Sequence, residues 1–309
     1  SKPNTYHIGY QLGPRINAGG RVGKSSHGAN LLLENNPINV FNIASELNQF
    51  NKERQILEQD LLERVLKEVK IDLSDPILIL DGKNWHEGII GIVAARIKDK
   101  FNKPAIIISI DGDIGKGSAR SVVGFDIGSA IISAVQEDIL IKGGGHKMAG
   151  GFSIKIENMK KFKEFLFRKF KNVNEEIKKE KTLLFDSIIA PAAINLDFFN
   201  KINSLAPFGS GNPEPKFIIE NLKTVNYKII KDKHIKSILM GQEGSIIKGI
   251  AFNSIDNEIG AYLLKKSKNT FNIAGKLSLN EWRGQSNVEF IIDDISVNKT
   301  IKNTVPSSI

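Results

Sequence analysis

The sequence predicts an α/β domain with a mixed sheet, preceded by a long helix and followed by a small β-barrel. Three stretches support this prediction. Between residues 39 and 69, apolar side chains recur at three- to four-residue spacing or its multiples, which is the period of one helix face. Residues 76–110 contain an apolar strand, a helix and a second apolar strand, the pattern of a βαβ unit. Beyond residue 183, short alternating runs separated by turn residues indicate an all-β domain.

The long helix is the first element with a clear period. The residues before it, 1–38, are rich in glycine and asparagine and are too few to bury a core of their own. We assign residues 39–72 to a single connecting helix, in which charged residues separate the apolar positions. These positions are Leu47, Phe50, Leu57, Leu61 and Val65.

The α/β domain is assigned to residues 73–175. It opens with the buried strand PILILDG, continues with the helix WHEGIIGIVAARIKDKF and returns in the buried strand PAIIISI. Two glycine-rich segments, a helix near Ile127 to Ile139, the strand FSIKI and the basic helix Met159 to Phe170 complete it. The crossover helix implies that the sheet is at least partly parallel.

The barrel is assigned to residues 181–300, after the charged run NVNEEIKKEK. About five short strands in this region suggest an OB-fold, the leading small barrel that binds single strands. Trp282 and Arg283 are candidates to stack on bases or hold phosphates. The alternative is that an aromatic residue in so small a barrel packs in its core.

The charge of the chain favours an acidic partner, and nucleic acid comes first among these. The 309 residues carry a formal charge of +9 and a pI of about 9.4. Most of the excess is lysine in a chain rich in isoleucine and asparagine, which is also the residue usage of an AT-biased genome. The scarcer arginines are more informative, because Arg15, Arg21 and Arg120 each lie within two residues of glycine or serine, where a guanidinium can offer its planar fork to phosphate oxygens.

Several classes of site and location are disfavoured by composition. The chain has no cysteine, which excludes disulfides, zinc–thiolate sites and cysteine nucleophiles. It shows no apolar run of membrane-spanning length and no signal-peptide core. We expect a soluble, cytoplasmic protein with no membrane partner.

Two glycine-rich segments predict a phosphate site. GGGHKMAGG, residues 143–151, places a histidine and a lysine among glycines whose backbone N–H groups are accessible. GKGSARSVVGFDIG, residues 115–128, places serines and an arginine in a similar setting. We interpret both as loops on the two sides of a phosphate. The alternatives are a tight turn feeding a strand for the first segment and a local salt bridge for the arginine of the second.

Eight motifs in a fixed order carry a family resemblance that covers almost the whole chain. They are GPRINAGGR, LNQFNKERQ, WHEGIIGIVAARI, KPAIIIS, GKGSARSVVGFDI, GGGHKMAGGF, LAPFGSGNPEP and NEWRGQSNVEFIIDDI. In this order they resemble the C-terminal part of the RecJ family, single-strand-specific 5′-to-3′ exonucleases of the DHH phosphoesterase superfamily. The resemblance identifies the α/β region as a DHH-associated domain and residues 1–38 as the tail of a DHH catalytic domain.

The resemblance also implies roles for individual residues. Ser118 and Arg120 hold the terminal 5′-phosphate or a nearby backbone phosphate, with Ser121 beside them. Arg15 and Asn17 line the floor of the active site. The segment GGGHKMAGG faces the scissile phosphate, to which His146 donates, and Gly143, Gly144, Gly145 and Lys147 bind phosphate beside it. We interpret His86 mainly as a helix cap.

The family's metal ligands are not found in the sequence. Relatives hold two Mn²⁺ or Mg²⁺ ions through an Asp-His-His motif and further aspartates in the N-terminal domain, and these ions activate water. This chain has no Asp-His-His, and its five histidines are scattered. We expect no metal site here and no nuclease activity from the chain alone. An expressed fragment, a split gene and a decayed gene all fit this pattern.

The functional expectation is therefore the C-terminal part of a single-stranded-DNA exonuclease of DNA repair and recombination. Its partners would be single-stranded DNA and, in addition, a single-strand-binding protein or a repair helicase. Two alternatives remain open at this point. One is a non-catalytic fragment that binds single-stranded nucleic acid, and the other is a phosphoesterase that acts on short oligonucleotides or cyclic dinucleotides.

Overall fold

The structure is a computed structural model that describes residues 5–69, 71–171, 183–265, 270–282 and 284–296. The chain divides into two compact units, Ser1–Lys181 and Thr182–Ile309. In the first unit, a group of helices is followed by an α/β domain with a mixed sheet. The second unit is a barrel, as the sequence predicts.

The N-terminal stretch is helical, which its glycine content did not predict. A short π-helix, His7–Leu12, precedes α1, Gly13–Val22, and α2, His27–Leu33. The long helix α3 spans Pro37–Glu68, and it begins where the Asn36 side chain accepts the backbone N–H groups of Ile38 and Asn39. Proline at the first helical position suits this start, because that N–H needs no partner.

The sheet of the first unit is mixed, as predicted. Its strands are β1, Leu78–Lys83; β2, Ala105–Asp111; β3, Ile114–Arg120; β4, Lys142–His146; and β5, Ala149–Lys155. They lie in the order β1-β2-β3-β5-β4, and the β1–β2 pair is parallel while the other three pairs are antiparallel. The crossover from β1 to β2 is made by α4, Glu87–Phe101.

The glycine-rich segments are largely strand, so the prediction that they form loops is wrong for residues 115–120, 143–146 and 149–151. Residues 121–126 do form a loop, and residues 147–148 form the turn that feeds β5, which is the alternative given for the segment GGGHKMAGG.

The glycines of these strands admit neighbouring side chains that a Cβ atom would block. A Cβ at Gly117 would lie 2.1 Å from the Phe152 ring, and one at Gly150 would lie 2.5 Å from Ile131 Cδ1. In these strands glycine therefore serves close packing rather than a turn.

The two faces of the sheet are covered unequally. One face packs against α5, Ile127–Gln136, and α6, Met159–Lys171, around a core of isoleucine and phenylalanine side chains. On the other face α3 and α4 bury the apolar side chains of β1 and β2. Over β3, β5 and β4 this second face is open as a groove of about 530 Å³.

A buried carboxylate joins α3 to α4. Glu58 on α3 accepts a hydrogen bond from Arg54 at 2.7 Å and one from Arg96 on α4 at 3.0 Å. Because both carboxylate oxygens are used, the buried charge is compensated, and the long helix is held in a fixed position against α4.

The second unit has the strand order of an OB-fold, as predicted. After β6, Ser187–Ile188, and α7, Leu196–Asn203, its strands are β7, Phe217–Ile230; β8, His234–Met240; β9, Ile246–Ala251; β10, Phe271–Trp282; and β11, Gln285–Ser296. They run in the order β7-β8-β9-β11-β10, and β10 pairs again with β7. The β9–β11 pair is parallel, and α8, Glu258–Leu263, connects β9 to β10. This is a closed five-stranded Greek-key barrel.

One ionised carboxylate links three strands of the barrel. Glu289 of β11 accepts hydrogen bonds from Lys236 of β8 at 2.6 Å and from Asn280 of β10 at 3.1 Å. Burial acts to raise the pKa of Glu289, but those two hydrogen bonds and the charges of Lys236 and Lys248 outweigh it, so the pKa lies below its ordinary value of 4.5.

Glu289 should make the stability of the barrel depend on pH in acid. Since its pKa is lower in the folded state, its contribution is complete above the ordinary value of 4.5 and is lost as the pH falls through the folded value. Glu289→Gln should therefore melt below the parent at neutral pH, and the two melting temperatures should converge as the pH falls below 4.5. Thermal melts across that range test this, and a difference that stays constant would contradict it.

Candidate functional site

The open face of the first sheet carries its polar side chains in three rows that run across β3, β5 and β4. Directly paired residues of antiparallel strands point to the same side, so the register of the strands defines each row. From one end to the other, the rows are Arg120–Ala149–His146, Ser118–Gly151–Gly144 and Lys116–Ser153–Lys142. Basic side chains thus border a floor of small residues on two sides.

Arg120 is half-buried at the end of β3. Its guanidinium donates to Ser118 Oγ at 3.2 Å and to the Ala119 carbonyl at 2.8 Å. Among the described residues it makes no salt bridge. Burial lowers the pKa of Arg120, and the positive charge of Arg21 lowers it further. An uncompensated, partly desolvated guanidinium of this kind favours the arrival of an anion.

Arg21 brings a second guanidinium to the same place. It lies in the last turn of α1 and donates to the carbonyl of Gly88 in the first turn of α4 at 3.2 Å. The backbones touch here, because a Cβ at Gly88 would lie 2.1 Å from the Arg21 carbonyl oxygen. Further along α4, a Cβ at Gly91 would lie 3.0 Å from the Arg120 guanidinium. Glycines of α4 thus allow both arginines to approach.

His146 lies on the opposite side of the floor from Arg120 and is exposed. Its Nδ1 accepts the Met148 backbone N–H at 3.3 Å. A neutral ring in this arrangement carries its proton on Nε2, which is then a donor. Nε2 of such a ring can donate a hydrogen bond to an oxyanion.

The three glycines Gly143, Gly144 and Gly145 do not act alike. Gly144 faces the open side, and a Cβ there would have no atom within 4 Å. Gly143 faces the core, where a Cβ would lie 2.7 Å from Ile131, and a Cβ at Gly145 would lie 2.3 Å from the Ala149 carbonyl oxygen. Only Gly144 leaves room for a ligand, whereas the other two allow the strands to pack.

Ser121 and Lys147 lie beside the rows rather than in them. The Ser121 hydroxyl is buried and donates to the Phe125 carbonyl at 2.7 Å, so this donor already has a partner within the protein. Lys147 is exposed in the turn between β4 and β5 and contributes to lowering the pKa of Asp126, after the larger effect of the Ser129 backbone hydrogen bond.

Arg15 and Asn17 are both on α1. Arg15 donates to Asn48 Oδ1 of α3 at 3.0 Å and to the Gln11 carbonyl at 2.6 Å, while Asn17 is exposed. The hydrogen bonds of Arg15 hold α1 to the long helix. The role of both residues in an active-site floor stays a prediction.

The interpretation of His86 as a helix cap is confirmed. Its Nδ1 accepts the Gly88 backbone N–H at 3.1 Å at the start of α4. In the barrel, Trp282 is the last residue of β10 and pairs with Gln285. Arg283 lies outside the described residues, so the predicted contacts of these two with nucleic acid stay predictions.

Sequence reasoning missed Lys116, Lys142 and Ser153 as site residues. The signal was present, since Lys116, Ser118 and Arg120 alternate along one segment, as do Lys142, Gly144 and His146 along another. Alternation places side chains on one face only if the segment is a strand. The interpretation of both segments as loops hid it.

The described residues do not fit a metal centre. No three histidine, cysteine, aspartate or glutamate side chains come together within the described part of the chain. The open face offers ammonium, guanidinium, imidazole and hydroxyl groups, which suit an anion rather than Mn²⁺ or Mg²⁺.

Two domain families match the chain. The DHHA1 domain matches residues 74–172, which contain the three rows, and the RecJ OB domain matches residues 185–294. Fold and family matches together define a DHHA1 domain followed by an OB domain. Within the described residues, no helix is both long and apolar enough to span a bilayer.

Curated relatives and solved structures agree with this assignment. The single-stranded-DNA-specific exonucleases RecJ of Bacillus subtilis and Salmonella typhimurium are 30% and 31% identical over 96% and 93% of this chain. The crystal structure of Thermus thermophilus RecJ in complex with Mn²⁺ matches 98% of the chain with a TM-score of 0.81 and 25% identity. The chain belongs to the RecJ family. It spans 37% and 51% of the two curated relatives and 43% of the solved chain.

Proposed function

We propose that this chain binds the 5′ end of single-stranded DNA and, together with a metal-bearing DHH domain, serves 5′-to-3′ exonucleolytic hydrolysis. The single observation that carries the proposal is the row containing Arg120 and His146. In it a guanidinium that makes no salt bridge within the described residues and an imidazole lie on opposite sides of Ala149, the small residue of the central strand. The terminal phosphate would bind at Arg120, and the scissile phosphate would accept a hydrogen bond from His146.

The residues in and around this row have distinct roles in the proposal. Arg120 binds two phosphate oxygens through its fork, and the Ser118 hydroxyl, itself an acceptor from Arg120, directs its own proton to a third. Arg21 adds positive charge at close range. His146 donates from Nε2, and Gly144, which has no side chain, leaves open space above the sheet. None of these groups activates water, so the chain's part in the reaction is to bind and orient the phosphate.

The barrel supports a long substrate in this proposal. OB-folds bind single strands along the face of their second and third strands, here β8 and β9. That face presents Lys236 and Lys248 at solvent-accessible positions. A second binding surface on the barrel favours single-stranded DNA over dinucleotides, which would occupy the first unit alone.

Binding should depend on the 5′-phosphate and on salt. We expect 5′-phosphorylated single strands to bind more tightly than 5′-hydroxyl strands, and affinity should fall by roughly 0.7 log units per phosphate contact for each tenfold rise in salt. Fluorescence anisotropy with labelled oligonucleotides between low and moderate salt measures both. Tighter binding to duplex DNA, or an affinity independent of salt, would contradict the proposal.

Two further measurements on the same purified protein distinguish this proposal from a small-substrate phosphoesterase and from a chain that is catalytically active by itself. Equal affinity for a dinucleotide and a 20-nucleotide strand would favour the small-substrate phosphoesterase. Release of mononucleotides in Mn²⁺ that copurifies with the chain would show that its own residues hold the metal. Roles in repair and recombination, and binding to a single-strand-binding protein or a repair helicase, belong to this proposal as predictions for the whole protein.

A further inference from the structure

The groove on the open face extends away from Arg120 and His146. Its lining includes Lys116, Lys142 and Ser153, and it also includes Glu87 at the start of α4. Neither Arg120 nor His146 is part of this lining. The proposed terminal-phosphate site therefore occupies one end of a longer surface.

The row Lys116–Ser153–Lys142, like the row of Arg120, has a basic side chain on each side of a small residue. Lys116 and Lys142 are each paired with Ser153 of the central strand, so the two ammonium groups border a single serine. With about 4.8 Å between neighbouring strands, the two lysine Cα atoms are separated by about 10 Å, which leaves room for one phosphate between the side chains. Among the described residues Lys142 has no carboxylate partner.

The spacing of the rows suits an extended strand of nucleic acid. Alternate residues of a β-strand are roughly 6.5–7 Å apart, which is close to the spacing of successive phosphates in an extended single strand. In the middle row, Gly151 and Gly144 leave open space above the backbone, since a Cβ at Gly151 would meet only the Gly117 carbonyl oxygen, at 3.7 Å. Between phosphates bound at the two outer rows, two nucleosides and the phosphate that joins them fit over these glycines.

We propose that the row Lys116–Ser153–Lys142 binds an internal phosphodiester, the third phosphate counted from the 5′ end, when the terminal phosphate lies at Arg120. This inference rests on the proposed function. It assigns the strand a direction, with the 5′ end at the row of Arg120 and the third phosphate beside the start of α4.

Glu87 weakens this subsite in the same arrangement. Its carboxylate lies 2.7 Å from Lys116 Nζ, and both side chains are about half exposed, at 51% and 54%. A phosphate that arrives between the lysines displaces Glu87 from Lys116 or is repelled by it. Glu87 therefore lowers affinity at the third phosphate and favours movement of the strand through the site.

The test uses the full chain and 5′-phosphorylated eight-nucleotide thymidylates in which one phosphate is replaced by a neutral methylphosphonate. Replacement at the third phosphate should weaken binding by about three- to tenfold, and replacement at the fifth should weaken it less. Lys142→Ala should weaken binding of the unmodified strand by a similar factor and should lose sensitivity to neutralisation of the third phosphate. Glu87→Gln should tighten binding of the unmodified strand about two- to threefold and leave the third-position analogue unchanged.

Matched controls keep the outcomes distinct. Lys160→Ala removes an exposed lysine from α6, which packs on the other face of the sheet, and should change nothing. If Lys142→Ala behaves like Lys160→Ala, or remains as sensitive to the third phosphate as the parent, the inference is wrong. If Arg120→Ala also leaves all affinities unchanged, the proposed function fails with it, whereas an effect of Arg120→Ala alone overturns only the subsite.

Discussion

Gly145→Ala should lower the melting temperature of the first unit by roughly 3–10 °C, whereas Gly144→Ala should leave it unchanged or raise it slightly. The two glycines are adjacent in β4 but face opposite sides of the sheet. A Cβ at position 145 would lie 2.3 Å from the Ala149 carbonyl oxygen and 2.6 Å from the Gly150 Cα, and these are backbone atoms that cannot move independently. The β4–β5 turn would have to shift.

Gly144 meets no such obstacle, since nothing lies within 4 Å of its Cβ position. A side chain there reduces the entropy of the unfolded chain and suits a strand, which favours folding by about 0.5–1 kcal/mol. Gly144→Val should fold, because β-branched residues are accepted in strands, but its side chain would stand in the groove.

Binding and melting together therefore separate the roles of the two glycines. We expect Gly144→Val to melt like the parent and to lose at least tenfold in affinity for 5′-phosphorylated single strands, about 1.4 kcal/mol. Differential scanning fluorimetry and anisotropy on the same samples measure both quantities. Full binding by Gly144→Val would show that no strand crosses the floor, and an unchanged melt of Gly145→Ala would show that β4 and β5 are packed less tightly than the structure indicates.

The sequence was sufficient for most of the architecture because hydrophobic periodicity is strong there. Apolar side chains of ordinary size are buried by β1, β2, the helix between them and the strands of the barrel. The spacing of these side chains along the sequence therefore reveals each element. His86 also marks a helix start, because its capping geometry depends on residues next to it in sequence. Such features depend on residues close in sequence.

The two strands that carry the site could not be predicted in the same way. In β3 the buried positions are Gly115, Gly117 and Ala119, which have little or no side chain. The space above Gly115 is filled by Ile154, and the space above Gly117 by Phe152. A strand whose core face is glycine has no apolar alternation and resembles a loop. The approach of Arg21 to α4 is equally hidden, since it joins residues 67 positions apart.

Arg120→Ala should weaken binding to 5′-phosphorylated strands by on the order of 1.5–3 kcal/mol, roughly 10- to 150-fold, the range for hydrogen bonds to charged groups. Binding to 5′-hydroxyl strands should fall much less, because these strands lack the terminal phosphate that the guanidinium binds. Arg120→Lys should restore only part of the loss, since an ammonium lacks the planar fork.

Neither substitution should unfold the domain. The guanidinium donates only to Ser118 Oγ and the Ala119 carbonyl of its own strand, and no buried carboxylate in the described part of the chain would lose a partner. Removal of the charge also relieves repulsion from Arg21, which contributes to the lowered pKa of Arg120. The melting temperature should therefore stay within about 1–2 °C of the parent.

Arg64→Ala is the matched control, since it removes an exposed arginine of α3 that pairs with Asp60 one helical turn away. It should change neither binding nor the melt by more than the small cost of a surface ion pair. If both Arg120 substitutions weaken the two kinds of strand equally, the residue contacts an internal phosphate, and the direction assigned to the strand is reversed or shifted by one row. If both lower the melt strongly, Arg120 is a structural residue, and the phosphate site must be sought around Arg21 and His146.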